Sequence, residues 1–243
     1  MKTVAAVFGT AASRRAFTCF ACLLISAAAS RAVDLYNLDF TATELGTYQV
    51  TLGNPSVQSA VGPFADALVF DAVTGGEQIR LPVGTSGPQY EIQFDVLAHN
   101  LLNSDYSFGF YLDTATVHSV NFHGGLNCIY VYQPSPFLNY SLAPLVNDSV
   151  YHFDVGLNTQ SSVWSVAING TSLFDGPCDG AVLQDIRFGI ALWIGGAANA
   201  PSTYVALDNV VVSLVPEPSS AALSFAGALA WLKFHRRNNR SRL

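Results

Sequence analysis

The stretch "DVGLNTQSSVWSVAINGTSLF", Asp154 to Phe174, alternates apolar and polar residues and is broken twice by turn-forming residues. Val155 and Leu157 share one face of its first segment; Trp164, Val166 and Ile168 share one face of the second. A period of two marks a strand, because successive side chains point to opposite faces of a sheet. Asn169-Gly170 is the dipeptide that a two-residue hairpin loop favours, since both positions need a positive φ. The polar run Thr159 to Ser162 supplies the other turn. The segment therefore reads as two successive β-hairpins.

The same alternation extends outward in both directions. "YEIQFDV" sets Tyr90, Ile92, Phe94 and Val96 on one face and Glu91, Gln93 and Asp95 on the other. "YSFGFYLD" groups Tyr106, Phe108, Phe110 and Leu112. "YHFDVGL" groups Tyr151, Phe153, Val155 and Leu157. "DIRFGIALWIG" groups Ile186, Phe188, Ile190, Leu192 and Ile194. One-sided alternation means one face on a core and one toward water. Glycine pairs at Gly75-Gly76, Gly124-Gly125 and Gly195-Gly196 mark further turns. No segment between the two termini carries a helical stripe. Many strands with short turns imply an all-β sandwich or barrel and not an α/β fold.

Charge divides the chain into three parts. Val33 to Val215 holds only two cations, Arg80 and Arg187, against sixteen carboxylates, a formal −14, although the whole chain reads −6. The remaining Lys and Arg lie at the two ends. So acidic a body excludes nucleic acid as a partner, because that binding rests on cations neutralising phosphates. About 180 residues suffice for one core and one domain.

At the N-terminus, Lys2, Arg14 and Arg15 precede the apolar run "AFTCFACLLISAAA", and small residues follow it. This is the layout of a removable secretory signal, read here as a helix within residues 1–32. "SRRAF" also resembles the core of a twin-arginine export signal, so the export route stays open. An exported body makes Cys128 and Cys178 the candidates for a disulfide.

Residues that carry chemistry are sparse. Glu91, Gln93 and Asp95 share one strand face, but Glu91 and Asp95 lie about 13 Å apart along it, far beyond the roughly 5 Å of a retaining glycosidase pair. They read as a solvated outer face. His99, His118, His123 and His152 show no metal-site spacing. There is no Gly-x-Ser-x-Gly elbow and no phosphate-binding glycine loop. Tyr111 and Trp193 fall opposite the apolar sets of their strands and are the candidates for stacking against a sugar. No catalytic residue is expected.

With "YEIQFDV", the Trp-led hairpin strand and the closing "YVALDNVVVS", the region Asp34 to Leu214 resembles a concanavalin-like or laminin-G-like jelly roll. The resemblance implies an antiparallel β-sandwich over residues 33–215. It also implies a structural calcium ion, with Asp208, Asn209 and Asp39 as the ligands to watch. No other cofactor is expected.

The C-terminus, residues 216–243, reads separately. "AALSFAGALAWL", Ala221 to Leu232, is 12 residues long, short of the roughly 20 of a stable span. Lys233, Arg236, Arg237 and Arg240 follow it and should hold their end on the cytoplasmic side. A turn, a short apolar helix and a cation cluster make the layout of a transient span with stop-transfer charges. Pro216-Glu217-Pro218 before that run resembles the PEP-CTERM sorting signal of Gram-negative bacteria. The resemblance implies transient inner-membrane anchoring, processing by a membrane-bound exosortase, and residence at the cell surface, outer membrane or exopolysaccharide matrix. The expected role is structural, adhesive or glycan-binding, with extracellular polysaccharide as partner and no enzyme activity. The alternative is a polysaccharide-active jelly-roll hydrolase or lyase.

Overall fold

The computed structural model describes residues 32–41, 47–71, 76–85, 87–134, 137–179, 182–192 and 202–216. The expected signal helix, the C-terminal apolar helix, Trp193, Glu217, Pro218, Lys233, Arg236, Arg237 and Arg240 lie outside these residues. A compact unit spans Ala32–Val215, and its described residues contain strands and no helix.

The strands are β1 (Val33–Leu38), β2 (Gln49–Leu52), β3 (Ser56–Val61), β4 (Phe64–Asp71) and β5 (Gly76–Thr85). They continue as β6 (Gln89–His99), β7 (Tyr106–Asp113), β8 (Val117–His123), β9 (Cys128–Pro134) and β10 (Phe137–Pro144). The last are β11 (Val150–Asn158), β12 (Val163–Ile168), β13 (Thr171–Pro177), β14 (Leu183–Leu192) and β15 (Tyr204–Val215). They form two antiparallel sheets. One has eight strands, in the order β13-β12-β11-β6-β15-β4-β3, with β1 also paired to β15. The other has seven, in the order β10-β9-β8-β7-β14-β5-β2. The expected all-β sandwich is the observed one.

The opening stretch folds as its pattern dictates. β11, β12 and β13 are successive antiparallel neighbours. Asn169 and Gly170 adopt φ of 50° and 74°, the two positive values that a tight hairpin turn requires. In the other turn, Asn158 Oδ1 accepts the N–H groups of Gln160 (3.0 Å) and Ser161 (2.9 Å), a local bond that reverses the chain.

The apolar faces meet between the sheets. Tyr90, Ile92, Phe94 and Val96 of β6 are fully buried, as are Phe108, Phe110 and Leu112 of β7 and Trp164 and Val166 of β12. Phe94 sits at the junction. It stacks on Phe153 of its own sheet at 4.9 Å and meets Phe188 of the opposite sheet edge-on at 5.1 Å. Such pairs add about 0.5–1.5 kcal/mol each beyond their burial. The locked core fixes which side chains point outward, and so builds the two outer faces.

Candidate functional site

Across the outer face of the seven-stranded sheet, cross-strand register brings one residue from every strand into a single row. The row reads Gln49, Arg80, Arg187, Tyr111, Ser119, Tyr132 and Asn139, from β2 to β10. It contains two amides, two guanidinium groups, a hydroxyl and two phenols, and no carboxylate. Adjacent strands lie about 4.8 Å apart, so the row is roughly 29 Å long.

Both cations of the acidic body stand next to each other in this row. Like charges directly opposite on neighbouring strands repel. Asp185 resolves the conflict: its Oδ2 accepts Arg80 Nε–H at 2.7 Å, and its Oδ1 lies 3.2 Å from Arg187 Nε. Asp185 is itself buried at 4% exposure, so it lies beneath the guanidinium groups it holds. Arg187 Nη2 also donates to Asp113 Oδ2 at 2.9 Å.

Tyr111 is on the outer face, as its place in the alternation predicts, and is half-buried. Its ring lies over Gly109: a Cβ built there would come within 2.3 Å of Tyr111 Oη and 2.4 Å of Cζ. The neighbouring strand again has a glycine, Gly189, opposite Gly109. The missing side chain at Gly109 lets the ring recline. Burial pushes the Tyr111 phenol up, while the Arg187 charge pulls it down. Tyr130, two residues along β9 from Tyr132 of the row, is raised by burial and then by Tyr111, Cys128 and Tyr132, so the phenols form one group. Beside them Ser119, Asn121 and His123 are buried although they face outward. Asn121 Nδ2 donates to Ser119 Oγ at 2.8 Å.

The outer face of the eight-stranded sheet differs in character. Asp34, Glu91, Asp154, Asp95 and Asp208 lie there, with no Lys or Arg among them. A groove of about 230 Å³ is lined by Glu91, Gln93, Asp154, Gly156, Ser165 and Ser172 among others. Gly156 opens its floor, since a Cβ there would come 2.8 Å from Ser165 Oγ. Gln93 Nε2 donates to Asp154 Oδ1 at 2.8 Å, and Asp95 Oδ1 lies 2.6 Å from His152 Nδ1. Glu91, Gln93 and Asp95 thus sit on an outer face, as expected.

Asp208, Asn209 and Asp39 have a different role from the expected one. Asn209 has φ of 53°, and the β15–β6 register shifts between Asp208 and Val211. The pair builds a β-bulge: Asp208 Oδ1 accepts the Asn209 N–H at 2.8 Å, and Asn209 Nδ2 donates to Asp95 Oδ2 at 2.8 Å. Asp39 Oδ1 accepts from the Thr41 hydroxyl at 2.6 Å. Asp208 is pushed up to about 6, by burial first and, against the lowering effect of the Asn209 N–H, by the charges of Asp95, Asp39 and Asp66. Among the described residues no group of three or more His, Cys, Asp or Glu side chains is arranged to hold a metal ion. Oδ1 of Asp208 and Oδ1 of Asp39 are each engaged with protein N–H or O–H groups, and Asn209 is held through Nδ2.

The expected disulfide is corrected as well. Cys128 and Cys178 are both free thiols. Cys128 is opposite His123 at one end of β8. Cys178 precedes Asp179, whose Oδ1 lies 3.1 Å from His118 Nε2 at the other end of that strand. Five residues of strand separate these ends by about 17 Å, far beyond the reach of an S–S bond.

Sequence reasoning missed the arginine–aspartate constellation. Arg80 and Asp185 are 105 positions apart. The available signal was that both body arginines sit between buried apolar neighbours, Ile79 and Leu81 for one, Ile186 and Phe188 for the other. Each had to point outward.

No family model matches the chain, and no curated protein matches it. Among solved structures it is similar to the receptor binding domain of botulinum neurotoxin D, at 11% identity and a TM-score of 0.54 over 80% of this chain and 52% of that one. It is similar to the receptor binding domain of a botulinum neurotoxin C/D mosaic serotype at 10% identity, with a TM-score of 0.54 over 80% and 51%. The binding domain of Paraclostridial Mosquitocidal Protein 1 gives 10% identity and a TM-score of 0.52 over 79% and 51%. The chain spans about half the length of these structures. At such identities the likeness is one of fold, the jelly-roll β-sandwich.

Proposed function

We propose that this chain is an exported, non-catalytic protein of the cell surface or matrix whose sandwich binds polysaccharide through the outer face of the seven-stranded sheet. The observation that carries this is the cross-strand row. The reclining Tyr111 ring offers an apolar face to a sugar ring, and the flanking amides and guanidinium groups offer hydrogen bonds to its hydroxyls. The row holds no carboxylate to act as acid or base. On a glycan array, the native protein is expected to retain polysaccharide, and Tyr111→Ala to lose about tenfold or more of that binding, the scale of a lost ring-stacking contact. Retention by no polysaccharide would overturn the binding reading.

The second reading is a polysaccharide-active enzyme. In its favour, Asp113 and Asp185 are opposite each other on adjacent strands. Against it, both are occupied by Arg187, and Asp185 by Arg80 too. Release of new reducing ends or unsaturated ends from a bound polymer would favour the enzyme.

The address rests on the terminal patterns. A PEP-CTERM-type tail gives an exosortase its cleavage site at Pro216-Glu217-Pro218, and Lys233, Arg236, Arg237 and Arg240 hold the precursor in the inner membrane. Mass spectrometry of the surface-associated protein in its own host is expected to find no peptide beyond this motif. An intact segment from Lys233 to Leu243 there would overturn the sorting proposal.

A further inference from the structure

We infer that the polysaccharide bound on this face is an acidic one, and that Arg80 and Arg187 receive its carboxylates. This rests on the polysaccharide-binding reading above and adds the chemical class of the ligand.

The placement of charge comes first. The body from Val33 to Val215 carries sixteen carboxylates and two arginines. Both arginines occupy adjacent positions of a row that crosses the whole seven-stranded sheet. A polyanion laid on the opposite face would meet Asp34, Glu91, Asp95, Asp154 and Asp208. On the row itself it meets only neutral groups and guanidinium.

The second argument is how the arginines are held. Asp185 takes Nε of Arg80 and lies against Nε of Arg187 from a buried position. Arg80, gripped at Nε, still has its two terminal nitrogens to offer, whereas Arg187 spends Nη2 on Asp113 and keeps Nη1. The side chain of Arg80 is 41% exposed, and Nε is the nitrogen it spends on Asp185. Its terminal pair has the fork geometry that matches a carboxylate with two parallel N–H···O bonds. Asp185 is then a positioning residue: it relieves the repulsion between two neighbouring cations and aims them.

The third is the order of groups along the row. Tyr111 follows Arg187 directly, close enough for the guanidinium charge to act on the phenol, and Tyr132 lies two strands further on. A chain of sugar rings bearing carboxylates needs this combination, flat rings for its faces and cations beside them for its acid groups.

The test is isothermal titration of the full-length protein with sodium polygalacturonate and with the same polymer after complete methyl esterification, which removes the charge and keeps the sugar backbone. The free acid is expected to bind about tenfold or more tightly than the ester, as the loss of a charge-assisted bond implies. Arg80→Gln is expected to narrow that difference several-fold, weakening the free acid much more than the ester. Arg187→Lys, which keeps the charge and loses the fork, gives a second variant in case removal of charge impairs folding, and is expected to narrow the difference. Tyr111→Ala is expected to weaken both polymers alike. Equal affinity of the native protein for acid and ester would overturn this inference and leave the polysaccharide reading standing. Binding of neither polymer, nor of any glycan on the array, would overturn both.

Discussion

Asp208 shows how far one residue can depart from the role its type suggests. An Asp-Asn pair near the end of a jelly-roll strand invites a calcium reading, yet here it bends β15 and is buried at 7% exposure among other acids. Its folded pKa, about 6, lies above the ordinary 3.8. A carboxyl raised on folding contributes stability that is fully present below the unfolded value and is lost as pH rises through the folded one. The window therefore runs from about pH 4 to pH 6, and the loss above it is up to about 3 kcal/mol. Asp208→Asn keeps a carbonyl to accept the Asn209 N–H and removes the charge. The variant is expected to melt several degrees higher than the native protein at pH 7.5 and at nearly the same temperature at pH 4. Thermal melts across that range check it; a variant less stable at pH 7.5 would show that the carboxylate is needed ionised. Asp179 has the opposite sign. Burial raises it, but hydrogen bonds from Thr116, His118 and Thr114 outweigh that and hold it at about 2, so its contribution is lost only in strong acid.

At the scale of elements, the hairpin β12–β13 isolates a pure backbone effect. Gly170 has φ of 74°, and a Cβ built there would meet nothing within 4 Å. Gly170→Ala should therefore cost about 1–2 kcal/mol through the left-handed backbone alone, with no clash to relieve. Urea denaturation is expected to show a lower midpoint at unchanged slope. A neutral substitution would mean that the turn relaxes to another type. This hairpin was legible because local chemistry decides it: an Asn-Gly pair between two alternating runs has few other solutions. The faces of β6, β7, β11 and β12 were legible for the same reason, since period two assigns each side chain to core or solvent. Strand order was not, because it depends on which nonlocal ladders close best. Arg80, Arg187 and Asp185 illustrate the loss. Their outward direction follows from their buried neighbours, but their meeting requires knowing that β14 lies beside β5. Tyr111 was legible as an outward ring. That it reclines over Gly109 was not, because alternation assigns a side chain to a face and does not set its tilt. The Cys128–Cys178 bridge failed for a related reason: composition suggests a pairing, whereas only topology sets the distance.

At the scale of the whole molecule, two antiparallel sheets close on one aromatic core and present two outer walls of unlike chemistry. A sandwich scaffold separates folding from recognition, because inward positions hold the fold and outward ones are free to vary. The wall formed by the seven-stranded sheet carries both arginines of the body, and the other carries a band of carboxylates about 10 Å of core away. The consequence is an electric moment directed through the thickness of the sandwich. Near any negatively charged surface the two walls feel unequal forces, and the resulting torque turns the arginine wall toward that surface before contact. Raising the ionic strength shortens the range over which this torque acts. The molecule thus has a preferred angle of approach, set by where two side chains lie and not by how tightly they hold anything.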